Sequence, residues 1–332
     1  MKGYKKPLIV ISVITIMFLG YFLTQKNSMV KPSGNTPISI PSINPTTMPR
    51  SLSDTVSTYT NMPAATFPSS VPYVTISTPR NLEAESSRLA ALFNIQSPPQ
   101  IISGSRGRYT ITQGVSALLT LSENPLTFAY DAASIAGTLV SYDPKPLVNT
   151  SIQQLEELSI LRSPLVVTNE VFSYFSPQGP SPNKLQSQSG ATMVQIDFDY
   201  HIGKLPLFIS DANTPAATTR YDGNKNLVQV RAHILPNMTI EKNDVAIVSY
   251  KEATERLAAG QGVLSSVASA ENDGVFLTGL TPTNIEISRV QLGYLLLSGR
   301  SDLVPVFIFS GKGYLEEDKK SVNTTTIVSA LP

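Results

Sequence analysis

The chain has 332 residues, a formal net charge of +1, 15% charged residues, and neither cysteine nor tryptophan. Without cysteine it has no disulfide framework, thiolate metal site, cysteine nucleophile or lipid-modified N-terminal cysteine. A near-neutral chain carries no basic excess for nucleic acid, and its charge content falls below the roughly 25% of an average soluble protein.

Lys2, Lys5 and Lys6 precede residues 7–23, which hold no charged side chain. A helix of that length spans roughly 26 Å, the lower edge of a bilayer core, so the run predicts a transmembrane helix. The alternative is a cleaved signal peptide, which calls for a shorter apolar core and a small-x-small site. Here the run is followed by Tyr21-Phe22-Leu23-Thr24-Gln25-Lys26 instead. The lysine asymmetry assigns residues 1–6 to the cytoplasm and the rest of the chain to the outside. Nine prolines lie between Pro32 and Pro79, interleaved with Ser, Thr and Asn. Residues 24–77 therefore predict a disordered stalk that neither a helix nor a paired strand can cross.

The remainder predicts an α+β fold of antiparallel sheets, each packed by a helix. A first helix starts at Thr78 as N-cap with Pro79 behind it, carries Leu82, Leu89, Leu92 and Phe93 as a stripe, and ends by Pro98-Pro99. Strands at 109–112, 115–121 and 126–130 then form a meander. A second helix is expected near 152–161, with Ser151 and Gln154 as a capping box and Pro164 ending it. The clearest strand is 194–200, where Val194, Ile196, Phe198 and Tyr200 alternate with Gln195, Asp197 and Asp199; residues 227–234 alternate likewise. A third helix is opened by the Ser249/Glu252 box and closed by Gly260. Strands follow at 285–297, 303–309 and 324–329, with a bulge expected near Ser288-Arg289 and Pro305 at an edge or bulge. Two helix-plus-meander units emerge, 78–180 and 181–332. Both helices contain Arg-Leu-Ala-Ala, at 88–91 and 256–259, which raises internal duplication.

Three segments in order resemble a known family: Glu252-Ala253 with Leu257 and Gly260, then Val290-Gln291-Leu292-Gly293-Tyr294, then Leu303-Val304-Pro305-Val306-Phe307. This succession resembles membrane-anchored regulatory proteins of the YycH/YycI type and, more loosely, PepSY-like domains. The resemblance covers residues 245–311 together with the membrane topology. It implies an exported helix-plus-sheet domain behind a transmembrane helix, and a regulatory partnership with a cell-wall-sensing histidine kinase. It carries over no functional residue.

Chemistry-bearing side chains are few. Asp197, Asp199 and His201 share one strand face, and His233 and Arg231 lie on another strand. These groups form a solvated cross-strand charge network, a metal site, or an acid/base carboxylate pair at about 7 Å. Gly104-Ser105-Arg106-Gly107-Arg108 lacks the phosphate-loop spacing and reads as a basic turn. Asp211, Asp222, Gly223 and Asn224 lack EF-hand spacing, and the last three predict a turn. No G-x-S-x-G is present. No catalytic, cofactor or metal residue is therefore assigned. The chain is expected to be a non-enzymatic, membrane-tethered extracytoplasmic binding or regulatory module. It would contact the lipid bilayer through residues 7–23 and an envelope or membrane protein through its exported part. The alternatives are an exported cell-wall hydrolase using Asp197 or Asp199 with His233, and a structural component of envelope assembly.

Overall fold

The computed structural model describes residues 58–77, 81–104, 107–123, 126–132, 137–176, 183–209, 215–269, 282–297, 300–315 and 320–332. The predicted cytoplasmic segment 1–6, the predicted membrane helix 7–23 and residues 24–57 lie outside this set. Among the described residues no helix is long and apolar enough to cross a membrane.

The chain runs β1 (Tyr59–Thr60), β2 (Ser70–Ile76), α1 (Leu82–Leu92), β3 (Gln100–Gly104), β4 (Gly107–Gln113), β5 (Ala117–Ser122) and β6 (Thr127–Ala132). It continues through α2 (Lys145–Glu157), β7 (Leu165–Ser176), β8 (Asn183–Leu185), β9 (Met193–Ile202), β10 (Leu205–Phe208), β11 (Ala217–Asp222) and β12 (Leu227–His233). It ends with β13 (Met238–Ala246), α3 (Tyr250–Ala258), β14 (Val263–Ser269), β15 (Thr283–Leu295), β16 (Val304–Leu315) and β17 (Lys320–Ser329).

The expected α+β fold of separate antiparallel sheets is overturned. Strand dominates the structure, and one mixed sheet of 15 strands runs β14-β17-β16-β15-β10-β9-β11-β12-β6-β5-β4-β3, with β1, β7 and β8 joined at its side. Two parallel pairings, β1 with β15 and β10 with β15, break the antiparallel rule. The two predicted helix-plus-meander units are not separate either, because β6 of the first pairs directly with β12 of the second. A period-two pattern reports which face of a strand is buried, not which strand lies beside it.

The sheet divides at β9. On one edge, the C-terminal end of β9 pairs with β10 and the N-terminal end with β11. From β10 the path leads to β15, and from β11 to β12. Gly293 sits at the β10–β15 seam, where a Cβ would come within 2.6 Å of the Pro206 carbonyl oxygen. The Gly of the Val-x-Leu-Gly-Tyr segment is thus a close-approach residue.

Residues 58–77, predicted as the end of the stalk, are instead part of the fold. Tyr59 and Thr60 pair with Ile285 and Glu286, and β2 pairs with β13 while also bonding the chain at Ser301–Leu303 through backbone groups. Val71 and Val74 are fully buried. Phe67 packs edge-on to Tyr250 and Phe307, at 5.6 and 5.2 Å between ring centroids. Prolines 63, 68 and 72 leave the backbone unable to form a helix, but apolar side chains between them reach an apolar surface built elsewhere in the chain.

The helices show where local pattern succeeds and where it misleads. Ser249 caps α3, its side chain accepting from Glu252 N, and Gly260 follows with φ 72°. Asn81, not Thr78, caps α1 by accepting from Ala84 N; residues 78–80 lie outside the description. The Ser151/Gln154 pair caps nothing, because α2 begins two turns earlier, at Lys145. Ser151 is fully buried and lies 2.8 Å from Thr219 Oγ1 and 2.9 Å from Tyr221 Oη, while Tyr221 donates to Gln154 Oε1 at 2.8 Å. These hydroxyls bolt the helix to β11. The bulge at Ser288-Arg289 is present as a register shift between Ile287 and Arg289. Pro305 lies in a central strand, at its second residue, rather than at an edge.

Candidate functional site

In β9, Val194, Ile196, Phe198 and Tyr200 are all 0% exposed. The same parity in β11 and β12 carries Thr219, Tyr221, Val228, Val230 and Ala232, with α2 bonded onto it through Ser151. The opposite parity forms an open polar face whose rows follow from the register. Gln195, Arg220, Gln229 and Asp131 stand side by side across β9, β11, β12 and β6. In the next row stand Asp197, Thr218, Arg231 and Ala129.

Neutral donors take up the carboxylates of this face. Asp197 accepts from Thr218 Oγ1 and from Gln195 Nε2, both at 2.8 Å, and Asp131 accepts from Gln229 Nε2. Arg220 donates through Nη2 to Gln195 Oε1, and its guanidinium lies 4.4 Å from the centroid of the Phe175 ring. Such stacking suits a planar, weakly hydrated cation. Arg220 Nε is buried with no acceptor. Burial, reinforced by the nearby Arg231 charge, pushes the Arg220 pKa down to about 10. Burial likewise raises Asp197, against the opposing hydrogen bonds from Thr218 and Gln195. Arg231 itself is exposed.

The structure brings Asp197, Asp199 and Arg231 to this face but gives them no paired acid and base. His233 stands two positions beyond Arg231 on β12, 3.3 Å from Thr127 Oγ1. Burial alone pushes it down to about 4, so it is a neutral ring with no carboxylate acting on it. His201 is buried at the end of β9, with Nδ1 2.6 Å from Thr168 Oγ1, and burial lowers it despite Asp199. The expected solvated charge network is thus corrected: it is half-buried, and its histidines are not charged members at neutral pH.

Among the described residues no group of three or more His, Asp or Glu is placed to hold a metal ion. Asp222 is the predicted turn residue, accepting from Asn224 N and Asn226 N at 2.9 Å; Asp211 lies outside the description. Arg108 beside the basic turn is neutralised by Glu83 and by Glu123 at 3.7 Å. The cleft between Ile160, Arg162, Leu165, Leu235 and Met238 has a cavity volume of about 10 Å³, room for a single water molecule and no ligand pocket.

Sequence reasoning missed Arg220, Asp131 and Phe175. The available signal was the alternation Thr218, Arg220, Asp222 against Ala217, Thr219, Tyr221, muted because threonine and tyrosine occupy the buried parity. No protein-family model matches the chain, and no curated protein matches it.

Proposed function

We propose that this chain is a membrane-tethered extracytoplasmic binding or regulatory module without catalytic activity, and that it meets its ligand on the open face of β6, β12, β11 and β9. One observation carries the reading: Arg220 is half-buried on the Phe175 ring and held by Gln195, and among the described residues it has no ion pair and the titratable groups around it form no reacting pair. A preorganised, incompletely satisfied cation on an open sheet serves recognition better than proton transfer. The tether is residues 7–23, lodged in the lipid bilayer. The resemblance of residues 245–311 to YycH/YycI-type regulators favours an envelope protein or sensor kinase as partner.

Photocrosslinkers placed at Asp199 and at the fully exposed Val115, in full-length protein in its native membrane, test this. The expected result is a defined envelope-protein adduct from position 199, lost in Arg220→Ala, and none from 115. Adducts with a second copy of the chain would favour an assembly component. Turnover of cell-wall polymer by the purified chain, abolished by Asp197→Asn, would favour the hydrolase and end the proposal.

A further inference from the structure

Arg220 and Arg231 are diagonal neighbours on one face, since Arg220 pairs with Gln229 and Arg231 with Thr218. Diagonal residues in adjacent strands lie about 7–8 Å apart, within reach of each other for side chains as long as arginine. Two like charges so placed repel, and a folded chain ordinarily sets a carboxylate between them. Here Asp131 and Asp197 flank the pair, but each is engaged by neutral donors: Gln229 holds the first, Thr218 and Gln195 the second. Among the described residues neither arginine forms an ion pair within 4.0 Å, and only Nη2 of Arg220 has a protein acceptor.

We infer that Arg220 and Arg231 together form a recognition site for a phosphate group, with the Phe175 ring as the platform that fixes the Arg220 guanidinium. A planar carboxylate is satisfied by one guanidinium fork. A tetrahedral phosphate carries oxygens that two guanidiniums on different strands can share, so the pairing of arginines selects phosphate over carboxylate. Asp131 and Asp197 hold the site below full strength and disfavour adventitious anions. The inference rests on the reading of this face as the ligand surface.

The test is ³¹P line broadening of inorganic phosphate by the full chain in a non-ionic detergent, at constant ionic strength, with acetate as competitor. Binding should weaken at least ten-fold in Arg231→Ala, a substitution at an exposed residue. It should tighten several-fold in Asp131→Asn, which keeps the acceptor for Gln229 and removes the charge. Acetate should compete at least ten-fold more weakly than phosphate. No broadening by the wild-type chain, equal broadening by Arg231→Ala, or acetate as effective as phosphate would overturn the site. If the crosslink at position 199 survives any of those results, the face remains a ligand surface and only its phosphate chemistry is wrong. If phosphate binds but the crosslink fails, the phosphate site stands and the envelope-protein partner is wrong.

Discussion

The two sides of the sheet that diverge at β9 use their strands differently. In β16, Val304, Val306 and Ile308 pack with Leu295 and Ile327 on one face, while Phe307 and Phe309 enter the main core on the other. Six consecutive residues are buried there, Val304 through Phe309. In β9 and β12 the outward positions are less uniformly covered, and Asp199 and Arg231 stand exposed between buried neighbours. A strand covered on both sides has nothing to offer a ligand and contributes stability. A strand covered on one side presents an ordered row of side chains, and that is where the candidate site lies. Gly293, Tyr294 and Phe307 hold packing or close-approach positions in strands of the first kind, and Ala253 and Leu257 are buried in α3.

That contrast predicts the largest effects in β16. Ile308→Ala and Phe307→Ala, on opposite faces, should each cost about 2–5 kcal/mol, read from denaturant midpoints. In β9 an inward residue such as Phe198, changed to Ala, should do so, while the outward Asp199→Asn stays within about 0.5 kcal/mol. An Ile308→Ala variant as mild as Asp199→Asn would break the comparison.

His233 gives the next effect. Its pKa falls from an ordinary 6.5 to about 4 in the folded chain, so below pH 6.5 the unfolded state binds a proton that the folded state does not. Stability present above pH 6.5 is therefore lost on acidification until about pH 4, with a ceiling of about 3 kcal/mol. Melting curves against pH should show this decline, and His233→Gln should flatten it. Smaller again is Tyr221→Phe, which removes the hydroxyl joining Ser151 and Gln154 of α2 to β11, at about 1–2 kcal/mol by chemical denaturation. Smallest is Ser249→Ala, the loss of the α3 cap, at about 1 kcal/mol in the same assay.

Local signals were legible wherever one neighbour in sequence settles the matter. The Ser249 box needs only Glu252 N; the bulge near Ser288 and the alternation of β9 need only their own segments. Signals failed where a partner far along the chain decides. Ser151 and Gln154 have the spacing of a cap, but Thr219 and Tyr221 claim them. Residues 58–77 have the composition of a linker, but Phe67 meets Tyr250 and Phe307, and Val71 and Val74 enter the core. Half of the candidate site was legible as Asp197, Asp199 and Arg231. Arg220 and Asp131 were not, because their significance is their register in one row across β11, β12 and β6.

By itself the amino-acid order determined which residues of a strand share a face, where α3 begins and ends, and which chemistries have no residues to perform them. Those properties follow from backbone geometry repeated every two or 3.6 residues, which is local. Only the tertiary structure decided that β6 lies beside β12, that the sheet divides at β9, and that two arginines come together beside carboxylates already engaged by neutral donors. Strand pairing is set by complementary burial across the whole chain, so no window of sequence contains it.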